Sequence, residues 1–233
     1  MPQLTRITLV FIALLFAAPV SAADFKKGLT AFNNGDYATA LREWTPLAKQ
    51  GDAGIQSLVG SMFNEGKGAP QDYKTAVKWF RLAAEQGLAV AQYNLGVMYR
   101  NGKGIPKNYK TAVKWYRLAA EQGIAPAQTN LGQMYRKGEG VPQDYKTAVK
   151  WYRLAAEQGD ASAQGNLGVM YAFGTGVLKD YVYAHMWGNI AATNGNKKSV
   201  KFRDFVEKKM TPADISAAQK LARECTRKKY KGC

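Results

Sequence analysis

Apolar and polar positions along this chain form blocks that return every 36 residues. In one block, Ala91, Leu95, Met98 and Gly102 follow three- and four-residue spacing, which predicts an amphipathic helix over residues 89–102. Gly102 stands where glycine tolerates the left-handed backbone that ends a helix, and residues 102–106 read as a turn. Asn108 then caps a second helix over residues 109–122, with Ala112, Trp115, Tyr116 and Ala119 as its apolar face and Gly123 as its stop. Asp72, Asp144 and Asp180 hold the same capping position in the other blocks. Gly96, inside the first helix, is expected to let a neighbouring backbone approach closely.

The register is fixed by matched residues. Tyr73, Tyr109, Tyr145 and Tyr181 correspond, as do Trp79, Trp115, Trp151 and Trp187, and Gly87, Gly123, Gly159 and Gly195 close the units. Four units follow, 52–87, 88–123, 124–159 and 160–195, each a hairpin of a helix A and a helix B. A single hairpin cannot cover its own apolar faces, but stacked hairpins bury them against one another, which predicts a solenoid. Residues 23–51 read as a shorter starting hairpin, with Asp36, Tyr37 and Ala40 aligned to the helix B start. Residues 196–233 leave the repeat. Thr211, Pro212 and Asp214 mark a helix start, and Ile215, Ala218, Leu221, Ala222 and Cys225 form one stripe, as expected of a C-terminal helical cap.

The ends carry two further signals. Arg6, the apolar run 7–18 and the small residues Val20, Ser21 and Ala22 follow the order of a cleavable signal peptide over residues 1–22. The run is too short to span a membrane, so the exported chain is expected in the periplasm or outside the cell. Cys225 and Cys233 are the two cysteines; in an oxidising compartment a pair this close in sequence reads as one disulfide.

The repeated residues resemble the Sel-1-like repeat family, a relative of the tetratricopeptide repeat. The resemblance rests on Ala91, Leu95, Gly96, Tyr99, Gly102, Gly104, Asn108, Tyr109, Ala112, Trp115, Ala119, Ala120 and Gly123, and it extends over residues 52–195. The stretch 180–187 and the Cys225 and Cys233 tail also resemble bacterial members. Ile55, Val59 and Leu178 depart from the pattern in the first and fourth units. The resemblance implies an all-α, right-handed α-solenoid of antiparallel helix hairpins that works as a protein-interaction adaptor, with a concave surface lined mainly by A helices. Some cysteine-rich exported relatives are described as β-lactamases; they carry a cysteine pair in each repeat, and no repeat here contains one.

Composition narrows the function classes. The chain has 33 Lys and Arg against 17 Asp and Glu, a net charge of +16, and loss of residues 1–22 removes only Arg6 and leaves +15. The tail from 197 to 233 has twelve Lys and Arg against four Asp and Glu. Lys74, Lys78 and Arg81 recur at 110, 114 and 117 and at 146, 150 and 153, striping helix B, with Glu85, Glu121 and Glu157 at i+4 from each arginine. No Ser-x-x-Lys, Gly-x-Ser-x-Gly, Cys-x-x-Cys or His-Glu-x-x-His pattern occurs. His185 is the one histidine and has no nucleophile beside it in sequence, and the Gly-Lys-Gly turns lack the rest of a phosphate loop. A non-catalytic protein with no cofactor and no metal is expected.

Two readings of its partner stay open: a protein or peptide, or an anionic envelope polymer such as peptidoglycan or lipopolysaccharide held by the basic surface. Nucleic acid is the weaker third, because export takes the chain away from most of it. Helix B is nearly the same in three units, whereas helix A varies at Tyr93, Thr129 and Gly165, at Val97, Gln133 and Val169, and at Arg100, Arg136 and Ala172. Within one helix these positions are spaced i, i+4 and i+7 and share a face. Tyr93, Val97, Arg100, Thr129, Gln133, Arg136 and Val169 are therefore the expected partner-binding residues.

Overall fold

The computed structural model describes residues 24–233, which form twelve α-helices and, among the described residues, no strand. They are α1 (Phe25–Asn33), α2 (Tyr37–Lys49), α3 (Ala53–Glu65), α4 (Tyr73–Glu85), α5 (Ala89–Asn101), α6 (Tyr109–Glu121), α7 (Ala125–Lys137), α8 (Tyr145–Ala156), α9 (Ala161–Phe173), α10 (Tyr181–Thr193), α11 (Lys197–Glu207) and α12 (Pro212–Arg227). The leader expected over residues 1–22 lies outside the described residues. Among those described, no helix is long and apolar enough to cross a membrane.

Local chemistry sets the helix ends. The Asp72 carboxylate accepts the backbone N–H groups of Lys74 and Thr75 at 2.9 and 3.1 Å, and Asn108, Asp144 and Asp180 do the same for their own helices. The A helices stop at Gly66, Gly102, Gly138 and Gly174, each with φ between 67° and 71°. Two residues on, Gly104 has another duty besides its positive φ. A Cβ there would collide with the Tyr73 carbonyl, so its absence lets the turn of one unit sit on the first turn of helix B in the unit before.

Helices pair as α1–α2, α3–α4, α5–α6, α7–α8 and α9–α10, and each even helix also packs against the next odd one. The core is a series of similar layers. Ala112, Val113, Tyr116, Ala119 and Ala120 of α6 meet Ala127, Leu131 and Met134 of α7, and one unit earlier Ala76, Val77, Phe80, Ala83 and Ala84 meet Ala91, Leu95 and Met98. Leu95 and Leu131 are fully enclosed, which contributes roughly 2 kcal/mol each. Val113 is more deeply buried than sequence spacing suggested, and Trp115 is only half-buried.

Gly96 serves a different neighbour from the one expected. What fills the space beside it is the ring of Tyr116, not a backbone: a Cβ on Gly96 would stand 2.7 Å from Tyr116 Cδ1. Phe80 fills the same notch at Gly60 and Tyr152 fills it at Gly132. In the fourth unit helix B has Gly188 at that position, and α11 supplies the ring instead: Phe202 stands against both Gly168 and Gly188.

A buried amide chain ties the units together. Gln56, Gln92, Gln128 and Gln164 each donate from Nε2 to the carbonyl of Ala48, Ala84, Ala120 and Ala156, at 3.0–3.2 Å. Each of these glutamines in turn accepts, through Oε1, from Gln86, Gln122, Gln158 or Asn194 at 2.8–2.9 Å. Polar groups at the hairpin ends are thereby paired across the unit boundary rather than left orphaned.

The C-terminal segment closes the stack in two ways. α11 follows α10 as a further A-type helix would, and α12 turns back across the outer side of α10. The cause lies in α10, where Val182, Met186 and Ile190 replace the Lys, Lys and Leu of the earlier B helices. Met186 and Ile190 are buried, and Leu221, Ala222 and Cys225 pack on the same cluster. The Thr211 and Asp214 capping box starts α12. Cys225 and Cys233 are bonded with their Cα atoms 5.7 Å apart, holding the final turn, where Tyr230 Oη lies 3.0 Å from Asn194 Nδ2.

Candidate partner-binding groove

The expected A-helix residues fall on neighbouring helices, and an open groove runs between them. Tyr93 of α5, Pro126, Thr129, Asn130 and Gln133 of α7, and Ser162 and Asn166 of α9 line it, with Asp160 at one end. Tyr93, Thr129 and Gln133 were expected from sequence; Asn130 and Asn166 were not. The signal for them was the matched asparagine at 94, 130 and 166, passed over because it does not vary.

The face is less free than its spacing implied. Tyr93 and Val97 pack on the layer between α6 and α7, with the Tyr93 ring 6.0 Å from that of Tyr116 in its own hairpin. Thr129 is buried, and Arg100, Gln133, Arg136 and Val169 are half-buried.

Arg100 bridges two helices. Its guanidinium donates to Asn130 Oδ1 at 3.3 Å and to Gln133 Oε1 at 2.6 Å. It also stands beside the Tyr116 hydroxyl. Burial pushes the Tyr116 pKa well up, and the Arg100 charge offsets part of that rise. Tyr152 is likewise raised by burial, with Arg136 and then Arg100 acting in the opposite direction. Neither phenol ionises near neutral pH, so both remain potential hydrogen-bond donors.

The outer side of the stack behaves differently. Arg81, Arg117 and Arg153 donate to Tyr99, Tyr135 and Tyr171 hydroxyls at 3.1, 2.7 and 2.9 Å, clamping each B helix to the next A helix. They form no ion pair with Glu85, Glu121 or Glu157 among the described residues. Lys74, Lys78, Lys110, Lys114, Lys146 and Lys150 are exposed.

His185 is buried, and its Nε2 lies 2.7 Å from Glu207 Oε1, joining α10 to α11. Among the described residues, no group of three or more His, Cys, Asp or Glu side chains converges as a metal site would require.

A stack of near-identical helix hairpins with an open groove along one helix set defines a repeat protein of the helical solenoid class. The Sel1 repeat pattern matches residues 56–88, 89–124, 125–160 and 161–196, and the chain belongs to the Sel1 repeat family. Among solved structures it is similar to a Sel1 repeat protein from Oxalobacter formigenes, at 36% identity and a TM-score of 0.73, covering 77% of this chain and 74% of that one. It is also similar to a protective antigen present in uropathogenic Escherichia coli strains, at 30% identity and a TM-score of 0.56, covering 84% of this chain and 50% of that one. A Sel1 repeat protein from Klebsiella pneumoniae shares the fold at 22% identity and a TM-score of 0.50, covering 77% of this chain and 89% of that one. No curated protein matches the sequence.

Proposed function

We propose that this chain is an exported, non-catalytic scaffold that captures a protein or peptide partner on the concave side of its A helices. One observation carries the reading. Apart from the matched Asn130 and Asn166, the groove between α5, α7 and α9 is lined by side chains that differ from unit to unit, whereas the packing layers beneath it repeat. Core positions must fit near-identical neighbours, but a surface that reads an irregular partner need not repeat. Sel1 repeats generally mediate protein contacts, which supports the same conclusion. Tyr93, Val97, Arg100, Thr129, Gln133, Arg136 and Val169 are the proposed contact residues, and export rests on the leader pattern at residues 1–22.

The test is crosslinked capture from the native envelope fraction, comparing the natural protein with Tyr93→Ala, Arg100→Ala and Arg136→Ala combined. The combined variant should lose the captured partner. Neutralising Lys110, Lys114 and Arg117 should not. The reverse result would place binding on the B helices and reject the groove.

A second reading is a binder of anionic envelope polymers, favoured by the exposed lysines that recur in the same register on α4, α6 and α8. Affinity for such a polymer should fall steeply between low and physiological salt, because those charges are exposed to screening.

A further inference from the structure

The two most exposed large apolar side chains among the described residues stand at one turn. Phe173, the last residue of α9, is 62% exposed, and Leu178, in the turn that leads to α10, is 90% exposed. No other large apolar side chain among the described residues reaches half. The earlier units carry Glu65, Asn101 and Lys137 in place of Phe173, and Pro70, Pro106 and Pro142 in place of Leu178.

The fold requires neither residue. The turn keeps the geometry of its counterparts: Gly174 and Gly176 have φ of 67° and 74°, against 70° and 69° at Gly102 and Gly104. Asp180 N donates to the Tyr171 carbonyl at 3.0 Å, as Asn108 N does to that of Tyr99 at 2.9 Å. Leu178 therefore leaves the turn as proline does, and with Phe173 it forms an apolar tip open to water, which marks a contact surface.

The surroundings of the tip are basic. Lys179 follows Leu178 and folds back against Gly174. Ala172, beside Phe173, shares a buried cluster with Val206 and Met210. That cluster brings the end of α11 next to the end of α9, and with it Lys208 and Lys209. The exposed Phe205 lies on the same helix, its ring centroid 5.0 Å from Lys209 Nζ. Lys179, Lys208 and Lys209 are exposed and join no ion pair among the described residues. The acids nearby are already engaged. Asp180 caps α10 through Val182 and Tyr183, Asp204 pairs with Arg203, and Glu207 meets His185.

Two protruding side chains are too few for a stable protein interface, which takes about twenty residues a side. They suit a bilayer surface, where a few apolar groups enter the boundary between headgroups and acyl chains while cations meet the lipid phosphates. We propose that the turn between α9 and α10 is a membrane-contact tip. Phe173 and Leu178 enter the surface of an anionic bilayer, and Lys179, Lys208 and Lys209 lie on its phosphates. The groove residues of α9 fall in the first half of that helix and the tip at its end, so the contact does not depend on the groove being the capture surface.

The probe is a vesicle of phosphatidylglycerol and phosphatidylethanolamine, with phosphatidylcholine vesicles as control, and binding of the exported protein is read by co-sedimentation. The natural protein should bind the anionic vesicles and not the neutral ones. Phe173→Ser with Leu178→Pro should weaken binding about tenfold or more, the loss expected when two apolar side chains leave the interface. Leu178→Trp should keep binding, and its added tryptophan emission should shift to the blue with vesicles. Lys179→Gln with Lys208→Gln and Lys209→Gln should also weaken binding, whereas Lys110→Gln with Lys114→Gln should stay within about twofold. Circular dichroism melts should match that of the natural protein, because every changed side chain is exposed. Equal binding by the natural protein and the Phe173→Ser, Leu178→Pro variant would overturn insertion in favour of diffuse charge attraction. No binding of the natural protein to anionic vesicles would overturn the tip outright. If that variant instead loses a crosslinked envelope partner while no form binds vesicles, the tip belongs to a protein and the lipid assignment fails.

Discussion

Replacing Gly132 by alanine should destabilise the protein, although alanine is the better helix former. Gly132 lies inside α7, where the exchange alone would gain up to about 1 kcal/mol. The geometry opposes that gain. A Cβ would stand 2.8 Å from both Cδ1 and Cε1 of Tyr152 and 3.2 Å from the Ala148 carbonyl oxygen. Tyr152 is fully enclosed, so its ring cannot swing clear, and the carbonyl belongs to the backbone of α8. Overpacking of this kind costs about 1–3 kcal/mol, so the net change should be a loss of about 1–2 kcal/mol. Gly54 is the control: it is exposed in the first turn of α3, and the nearest atom to a Cβ there is Asp52 Oδ1 at 3.2 Å. Gly54→Ala should therefore be neutral or stabilising by a few tenths of a kcal/mol. Urea unfolding followed by circular dichroism reads both; at a slope of about 2 kcal/mol/M the Gly132→Ala midpoint should fall by about 0.5–1 M. Adding Tyr152→Leu to Gly132→Ala should recover part of the loss. A Gly132→Ala midpoint equal to or above that of the natural protein would refute the ring-in-notch account of the packing.

Cys225 and Cys233 close so short a loop that their bond should stabilise the tail by about 2–3 kcal/mol at most; unreduced exported protein should weigh two protons less than the dithiol, and free alkylation of both sulfurs would contradict the pairing. Phe202→Ala should loosen α11 and raise amide exchange through α9 to α11 while α3 to α6 stay protected, because each unit relies on its neighbours. Asp36, Asp72 and Asp144 have carboxyl pKa values held below the usual range, chiefly by hydrogen bonds from the threonine three residues on. Their caps thus contribute stability above the unfolded carboxylate pKa and lose it as pH falls through the lower folded value. Asp72→Asn with Asp144→Asn should flatten the acid limb of the stability profile below about pH 4, and an unchanged limb would argue against these caps. If residues 1–22 act as a leader, N-terminal sequencing of the exported protein should begin at Ala23, or at Asp24 for a cut one residue later, and a chain still beginning at Met1 would contradict the leader.

Much of the architecture was legible because its punctuation is local. A glycine after each A helix and an Asp or Asn before each B helix act on their own backbone, so Gly102 and Asn108 mark their turn without tertiary knowledge. The role of Gly96 was harder, since its partner Tyr116 lies twenty residues away and sequence does not say which way a ring points. Phe202 was out of reach for a related reason: residues 196–233 abandon the period, so nothing aligned it with Tyr116 and Tyr152. At the groove, variation between units singled out Thr129, Gln133 and Arg136. It could not show that Tyr93 and Val97 also pack, nor that Asn130 becomes important through the reach of Arg100.

Because the substitutions that fit the C-terminal cap lie in α10, α11 and α12, and Ile55 and Val59 mark the first unit, the two units between, 88–123 and 124–159, are interchangeable parts. The joint at Gly123 and Ile124 is built from the same layer as the joint at Gly87 and Leu88, so one more 36-residue copy spliced there would meet surfaces that already fit it. Such a protein would keep both ends and lengthen the groove by one step. The length of the proposed capture surface is thus a counted quantity in this molecule, adjustable by duplication without redesign of either terminus.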